Sequence, residues 1–159
     1  MYVIWAVAVL GMLSGAYALM NRTSTPLAQG PSSIELALNM REYQQAVVAF
    51  ALANPSFTGS VPASSLGSQL GSFNANAMWQ NYVQPNADFT GSLVVVYAIA
   101  VPAAAVVTGM QQLAQGSALA GVAQGATIVS PGNPPVALPP ALANVIPAGM
   151  PVWMAQAYE

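Results

Sequence analysis

Residues 1–20 read MYVIWAVAVLGMLSGAYALM, a run without a charged side chain and interrupted only by Gly11, Ser14 and Gly15. At about 1.5 Å per residue, a helix of that length covers roughly 30 Å, the depth of a bilayer's hydrocarbon core. The run therefore reads as a transmembrane helix. Tyr2, Trp5 and Tyr17 stand toward its ends, where amphipathic rings settle at headgroup level. Ala16-Tyr17-Ala18 has the form of a signal-peptidase site, but no Lys or Arg precedes the apolar stretch as a signal peptide requires. The expectation is an uncleaved anchor. A lipoprotein anchor is excluded, since position 16 is Ala where the lipidated Cys would have to stand. Gly11 and Gly15 make a G-x-x-x-G pair, which puts two small residues on one helix face and lets a second helix approach. The same spacing also arises in any span rich in Gly and Ala.

Beyond the run, the chemistry available to the chain is sparse. Of 159 residues only 4% are charged, with Lys+Arg 2 and Asp+Glu 4. Two arginines give no footprint for nucleic acid, whose binding needs several cations on phosphates. With His 0 and Cys 0, metal sites built on imidazole or thiolate and Cys or His catalysis are excluded. Four carboxylates and some hydroxyls remain. Glu35 and Glu42 are seven residues apart on one predicted helix and Asp88 falls in a predicted turn, so solvated or capping roles outweigh a paired-acid mechanism. Gly67-Ser68-Gln69-Leu70-Gly71 and Gly121 to Gly125 have no cation to hold phosphate and read as loops. No motif for a nucleophile, a phosphate loop or a calcium loop is present. Neither a cofactor nor a small-molecule substrate is expected.

Residues 21–31 mix Thr, Ser, Pro, Gln and Gly without periodicity and read as a tether. Ser32 and Glu35 then form a capping box, in which each side chain satisfies a backbone donor of the other. Leu36, Met40, Tyr43, Val47 and Phe50 recur at spacings of four and three, one stripe of a helix ending near Ala53-Asn54-Pro55. The stripe is either core or partner-facing. Arg41 and Glu42 fall off it and face water.

Ser56 to Ala77 reads as an ordered loop with short pieces of structure. Trp79 to Val83 and Leu93 to Val101 have the aromatic and β-branched content of strands, with turn residues between them, and predict an antiparallel hairpin. Trp79, Tyr82 and Trp153 are expected in the core more than on a binding surface. Leu93 to Val107 is too short for a second span, so a buried strand to Val101 and a helix opening at Pro102 and running through Val107 and Leu113 fit better. Thr127 to Val129 is a further strand, Ser130 to Pro140 an extended Pro-rich loop, and Val152 to Tyr158 a last strand. The fold class is α+β: an N-terminal transmembrane helix, then one small domain over 32–159 with an amphipathic helix packed on a mainly antiparallel sheet.

This layout, together with Tyr43-Gln44-Gln45-Ala46-Val47, Asn54-Pro55, Ser130-Pro131, Leu138-Pro139 and Ile146-Pro147-Ala148-Gly149, resembles the PilM-type membrane-anchored accessory proteins of type IVb conjugative thin pili. The resemblance implies a non-enzymatic part in pilus assembly. It also implies a single-pass protein of the bacterial inner membrane with its domain in the periplasm, and as partners inner-membrane assembly proteins or further copies of itself. Arg22, just after the span, weighs slightly toward the opposite orientation. A pilin-like subunit is the nearest alternative, though the basic leader and early Glu of pilins are missing from 1–20. A cell-wall or glycan hydrolase using Asp88 and a Glu is the remote one.

Overall fold

The computed structural model describes residues 32–87, 89–100 and 106–158. The predicted anchor, the tether, and with them Gly11 and Gly15, lie outside the described residues, as do Asp88 and Glu159. Among the described residues no helix is long and apolar enough to cross a membrane.

The first element is the helix α1, Ser33–Ala53. It starts where the capping box puts it: Ser32 Oγ accepts from the Glu35 backbone N–H at 3.3 Å, and Glu35 Oε2 accepts from the Ser32 N–H at 2.6 Å. Such a cap contributes about 1 kcal/mol. At the other end Asn54 closes the helix with its side-chain amide donating to Phe50 O at 2.9 Å, and Pro55 cannot continue it. Along the stripe, Leu36, Met40, Tyr43 and Val47 are buried against the sheet. Phe50 is half-buried and meets Phe57 edge-on, ring centroids 5.1 Å apart. Arg41 and Glu42 are exposed.

Ser56 to Ala77 is largely irregular but contains a 3-10 turn, Ala63–Leu66, and a one-turn helix α2, Gly67–Leu70. Strands β1 (Trp79–Pro85) and β2 (Ser92–Ala98) follow as the expected antiparallel hairpin, with Tyr82 opposite Val95. The second strand stops at Ala98 rather than Val101, and the helix expected to open at Pro102 is described only as α3, Val107–Leu113. Strands β3 (Ala120–Gln124), β4 (Thr127–Val129) and β5 (Val136–Ala137) then form a short meander, and β6 (Pro151–Ala157) ends the fold. The sheet has six strands in the order β1-β2-β6-β3-β4-β5, every pairing antiparallel. The last strand in the chain thus joins an early hairpin to a later meander.

Two expectations about glycine-rich loops are corrected. Gly121 to Gly125 is not a loop, because Gly121 sits inside β3, opposite Val152. Its lack of a side chain is what lets β4 lie alongside: a Cβ there would collide with the carbonyl oxygen of Val129 and stand 2.8 Å from that carbonyl's carbon. Gly67 to Leu70 is likewise helical, and only Gly71, at φ +57, behaves as a turn glycine.

Both faces of the sheet are covered, which explains why β2 reads SLVVVYA with no polar alternation. Val94, Val96 and Ala98 face α1 together with Val83, Trp79 and Trp153. Val95 and Tyr97 face the other way, into a second core with Val152, Met154 and Ile128. That second core is closed by Leu138, from the proline-rich stretch, and by Leu142 and Ile146 just after it. So Ser130 to Pro140 is more than an extended loop; it carries β5 and, with the 3-10 turn Pro140–Leu142, forms the cover of one sheet face. Burying a side chain of Leu or Ile size stabilises by roughly 1.5–3 kcal/mol. The α3 helix packs so closely on the start of α1 that a Cβ on Gly109 would stand 2.5 Å from Ser33 O.

Candidate functional site

The carboxylates are placed first, since they are the main acid–base stock of the chain. Glu35 is exposed and spends its carboxylate on the cap of α1. The Ser32 backbone N–H, and after it the Ser32 hydroxyl, holds its carboxyl below the ordinary value. Glu42 is exposed on the same helix. No group of three or more metal-ligating side chains is found among the described residues.

The buried and half-buried polar groups serve the architecture. Asn39 Oδ1 accepts from the Asn76 backbone N–H at 2.9 Å and from the Trp79 indole Nε1–H at 2.8 Å, while its Nδ2 donates to Asn74 O at 3.1 Å. One amide thereby fixes α1, the loop before β1, and the first residue of the sheet. Gln44, which is buried, donates from Nε2 to Trp153 O at 3.2 Å and ties α1 to β6. Asn81 Nδ2 donates to the Tyr43 hydroxyl at 2.6 Å. Burial pushes the Tyr43 phenol up, partly offset by that hydrogen bond. Tyr97 is raised by burial and, secondarily, by the unfavourable interaction of its phenolate with that of Tyr43. No described buried side-chain polar atom lacks a partner.

Of the helix stripe, Leu36, Met40, Tyr43 and Val47 are buried on the sheet and Phe50 is half-buried at its end. Trp79 and Trp153 are buried with it, and Tyr82 is half-buried on the opposite face. What sequence reasoning did not single out is the end of the domain where α1 finishes, β2 begins and β6 ends. There Leu52, Phe89 and Tyr158 are exposed, Phe89 at 69% and Tyr158 at 63%. A groove of about 460 Å³ runs among Leu52, Pro55, Thr90, Gly91 and Tyr158. A second, of about 280 Å³, lies among Phe89, Thr90, Gln156 and Tyr158. Among the described residues, no charged side chain lines either. Periodicity could not reveal this end, because its residues come from three separate turns and strand ends.

Fold and surface together define a small α+β domain with a grooved end lined, among the described residues, by uncharged side chains. The chain belongs to the PilM family, whose model matches residues 9–154, from within the apolar N-terminal run to the middle of β6. Membership makes this a pilus-related protein and implies contact with the pilus assembly machinery. No curated protein matches the chain. No solved structure matches it either.

Proposed function

We propose that the protein is a non-enzymatic component of type IVb pilus assembly, anchored in the bacterial inner membrane through residues 1–20, with its domain in the periplasm and acting by protein contacts. The family match carries the reading. The rest of the support is chemical. The 20 residues of the N-terminal run are uncharged, the described carboxylates are exposed or engaged in capping, and the surface repels neighbours too weakly for a crowded soluble life. On this reading the membrane helix packs on another helix through Gly11 and Gly15.

The test is pilus-dependent transfer in a deletion strain complemented with variants. Gly11→Ile together with Gly15→Ile should lower transfer while leaving membrane insertion intact, because the added bulk separates packed helices without reducing apolarity. Changing each acidic residue to its amide should leave transfer nearly normal. If one amide variant abolished transfer at unchanged protein level while the glycine pair had no effect, the contact reading would be overturned. Recovery of the protein in sheared pili would instead make it a pilin-like subunit.

A further inference from the structure

An outer strand of a sheet presents unpaired backbone groups to any passing chain, and proteins commonly blunt it with charges, above all Lys. This chain has no lysine to place there, and β1, an outer strand, reads WQNYVQP without a charge. What runs along its outer side is the segment 59–66. Gly59 and Val83 exchange both backbone hydrogen bonds, at 2.8 and 2.9 Å. Two residues further on, the segment turns away from the ladder. The backbone of Val61 is taken by the side chain of Asn81: Oδ1 accepts from the Val61 N–H at 2.7 Å, and Nδ2 donates to Val61 O at 3.0 Å. An amide side chain thus imitates the strand partner that the backbone no longer reaches. Val61 and Leu66 are buried and pin the segment down. At the ends of β1, the Trp79 N–H is taken by Asn76 O at 3.1 Å, and Pro85 has no N–H to offer. The opposite outer strand, β5, is two residues long between Pro134-Pro135 and Pro139-Pro140.

We propose that the segment 59–66 is an edge guard, occupying a strand-pairing surface on β1 whose occupant, once the guard is released, is β1 of a second copy of this chain. The second copy follows from the chemistry of the edge. Antiparallel pairing about Val83 is self-complementary: the N–H and C=O now held by Gly59 would meet the C=O and N–H of the same residue in the twin. No like charges on β1 oppose that approach.

Two variants release the guard from different sides, both in the full chain in detergent micelles. Gly59→Pro removes the N–H bonded to Val83 O and cannot adopt the φ of +126° found there, while nothing lies within 4 Å of the added Cβ. Asn81→Leu removes the amide that holds Val61. The near-UV signal of the buried Trp79 and Trp153 shows whether each variant is folded, and if Asn81→Leu loses it, Gly59→Pro decides alone. The expected result is at least tenfold faster amide exchange at Val83 and, with rising concentration, a doubling of the protein mass per micelle relative to the unsubstituted chain. The chain has no cysteine, so mixing Tyr82→Cys and Gln84→Cys chains in the Gly59→Pro background should give a disulfide-linked pair, these positions standing opposite each other about Val83. Faster exchange without a change in mass, a doubled mass without that cross-link, or unchanged protection of Val83 in a folded variant would each overturn the proposal.

Discussion

Replacing Gly121 by Ala adds one methyl group in the middle of β3, and the structure says what that methyl meets. Its carbon would collide with the carbonyl oxygen of Val129, lie 2.8 Å from the carbonyl carbon and 2.9 Å from Ile128 Cγ2. Ordinary contact begins at 3.4 Å, so β4 must retreat by at least 0.6 Å at that carbon. The obstacle is backbone, which cannot rotate away as a side chain can. Retreat also pulls Val122 from Val129 and Ala123 from Ile128 in a ladder only three pairs long. Overpacking of this kind costs about 1–3 kcal/mol, and the upper half of that range applies here. A unit of this size has roughly 6–19 kcal/mol in all, so the variant should fold but melt about 8–12 °C lower. The comparison is Gly125→Ala, one turn away, where φ is +61 and nothing lies within 4 Å of the new Cβ. That change costs only the left-handed conformation, about 1 kcal/mol. Thermal melts of the full chain in detergent, followed by the near-UV signal of Trp79 and Trp153, separate the two. Equal shifts for both variants would show that β3 and β4 do not pair in this register.

Three other outcomes follow from the packing. Val95→Asp should unfold the domain, since Val95 is 0% exposed between Tyr82 and Met154 and an unpaired buried charge costs several kcal/mol; a cooperative melt at the unsubstituted midpoint would defeat this. Tyr43→Phe removes the oxygen that accepts from Asn81 Nδ2 and should cost about 1 kcal/mol in denaturant unfolding. Because burial raises the folded phenol's pKa above its ordinary 10.0, its contribution is complete below pH 10 and is lost as pH rises through the folded value, so Tyr43→Phe should melt with a shallower alkaline decline. Glu35 has the opposite sign: its folded pKa lies below the ordinary 4.5, so its contribution is present above that value and is lost as pH falls through the folded one. Glu35→Gln should remove that part of the acid dependence, and an unchanged acid profile would show that the cap does not contribute.

How much of this could be read from the residues depended on whether the determining contact was local. The start of α1 was legible because Ser32 and Glu35 satisfy each other within one turn, and its burial stripe because helical spacing alone decides which side chains share a face. The β1–β2 hairpin was legible for the same reason, with turn residues between two β-branched runs. Gly121 was not, because a glycine inside a strand and a glycine in a loop look identical until the neighbouring strand is known, and β4 alone supplies the reason. The proline-rich stretch misled in another way. Its prolines do rule out a long strand, but its Leu138, with Leu142 and Ile146 just after it, covers a sheet face that only the three-dimensional order of the strands creates.

The scarcity of charge links these observations. A chain with 4% charged residues cannot organise its interior or protect its surface with ion pairs, so amides and prolines take over those tasks. Asn39, Gln44 and Asn81 each tie two or three elements together through main-chain atoms, and Asn54 closes α1. Prolines flank the short outer strand and end the other. These devices act through geometry and are insensitive to ionic strength, whereas exposed ion pairs weaken as salt screens them. The fold's stability should therefore be set by packing and amide hydrogen bonds. Added salt in the sub-molar range, where screening dominates, should move the melting midpoint far less than the single methyl group of Gly121→Ala.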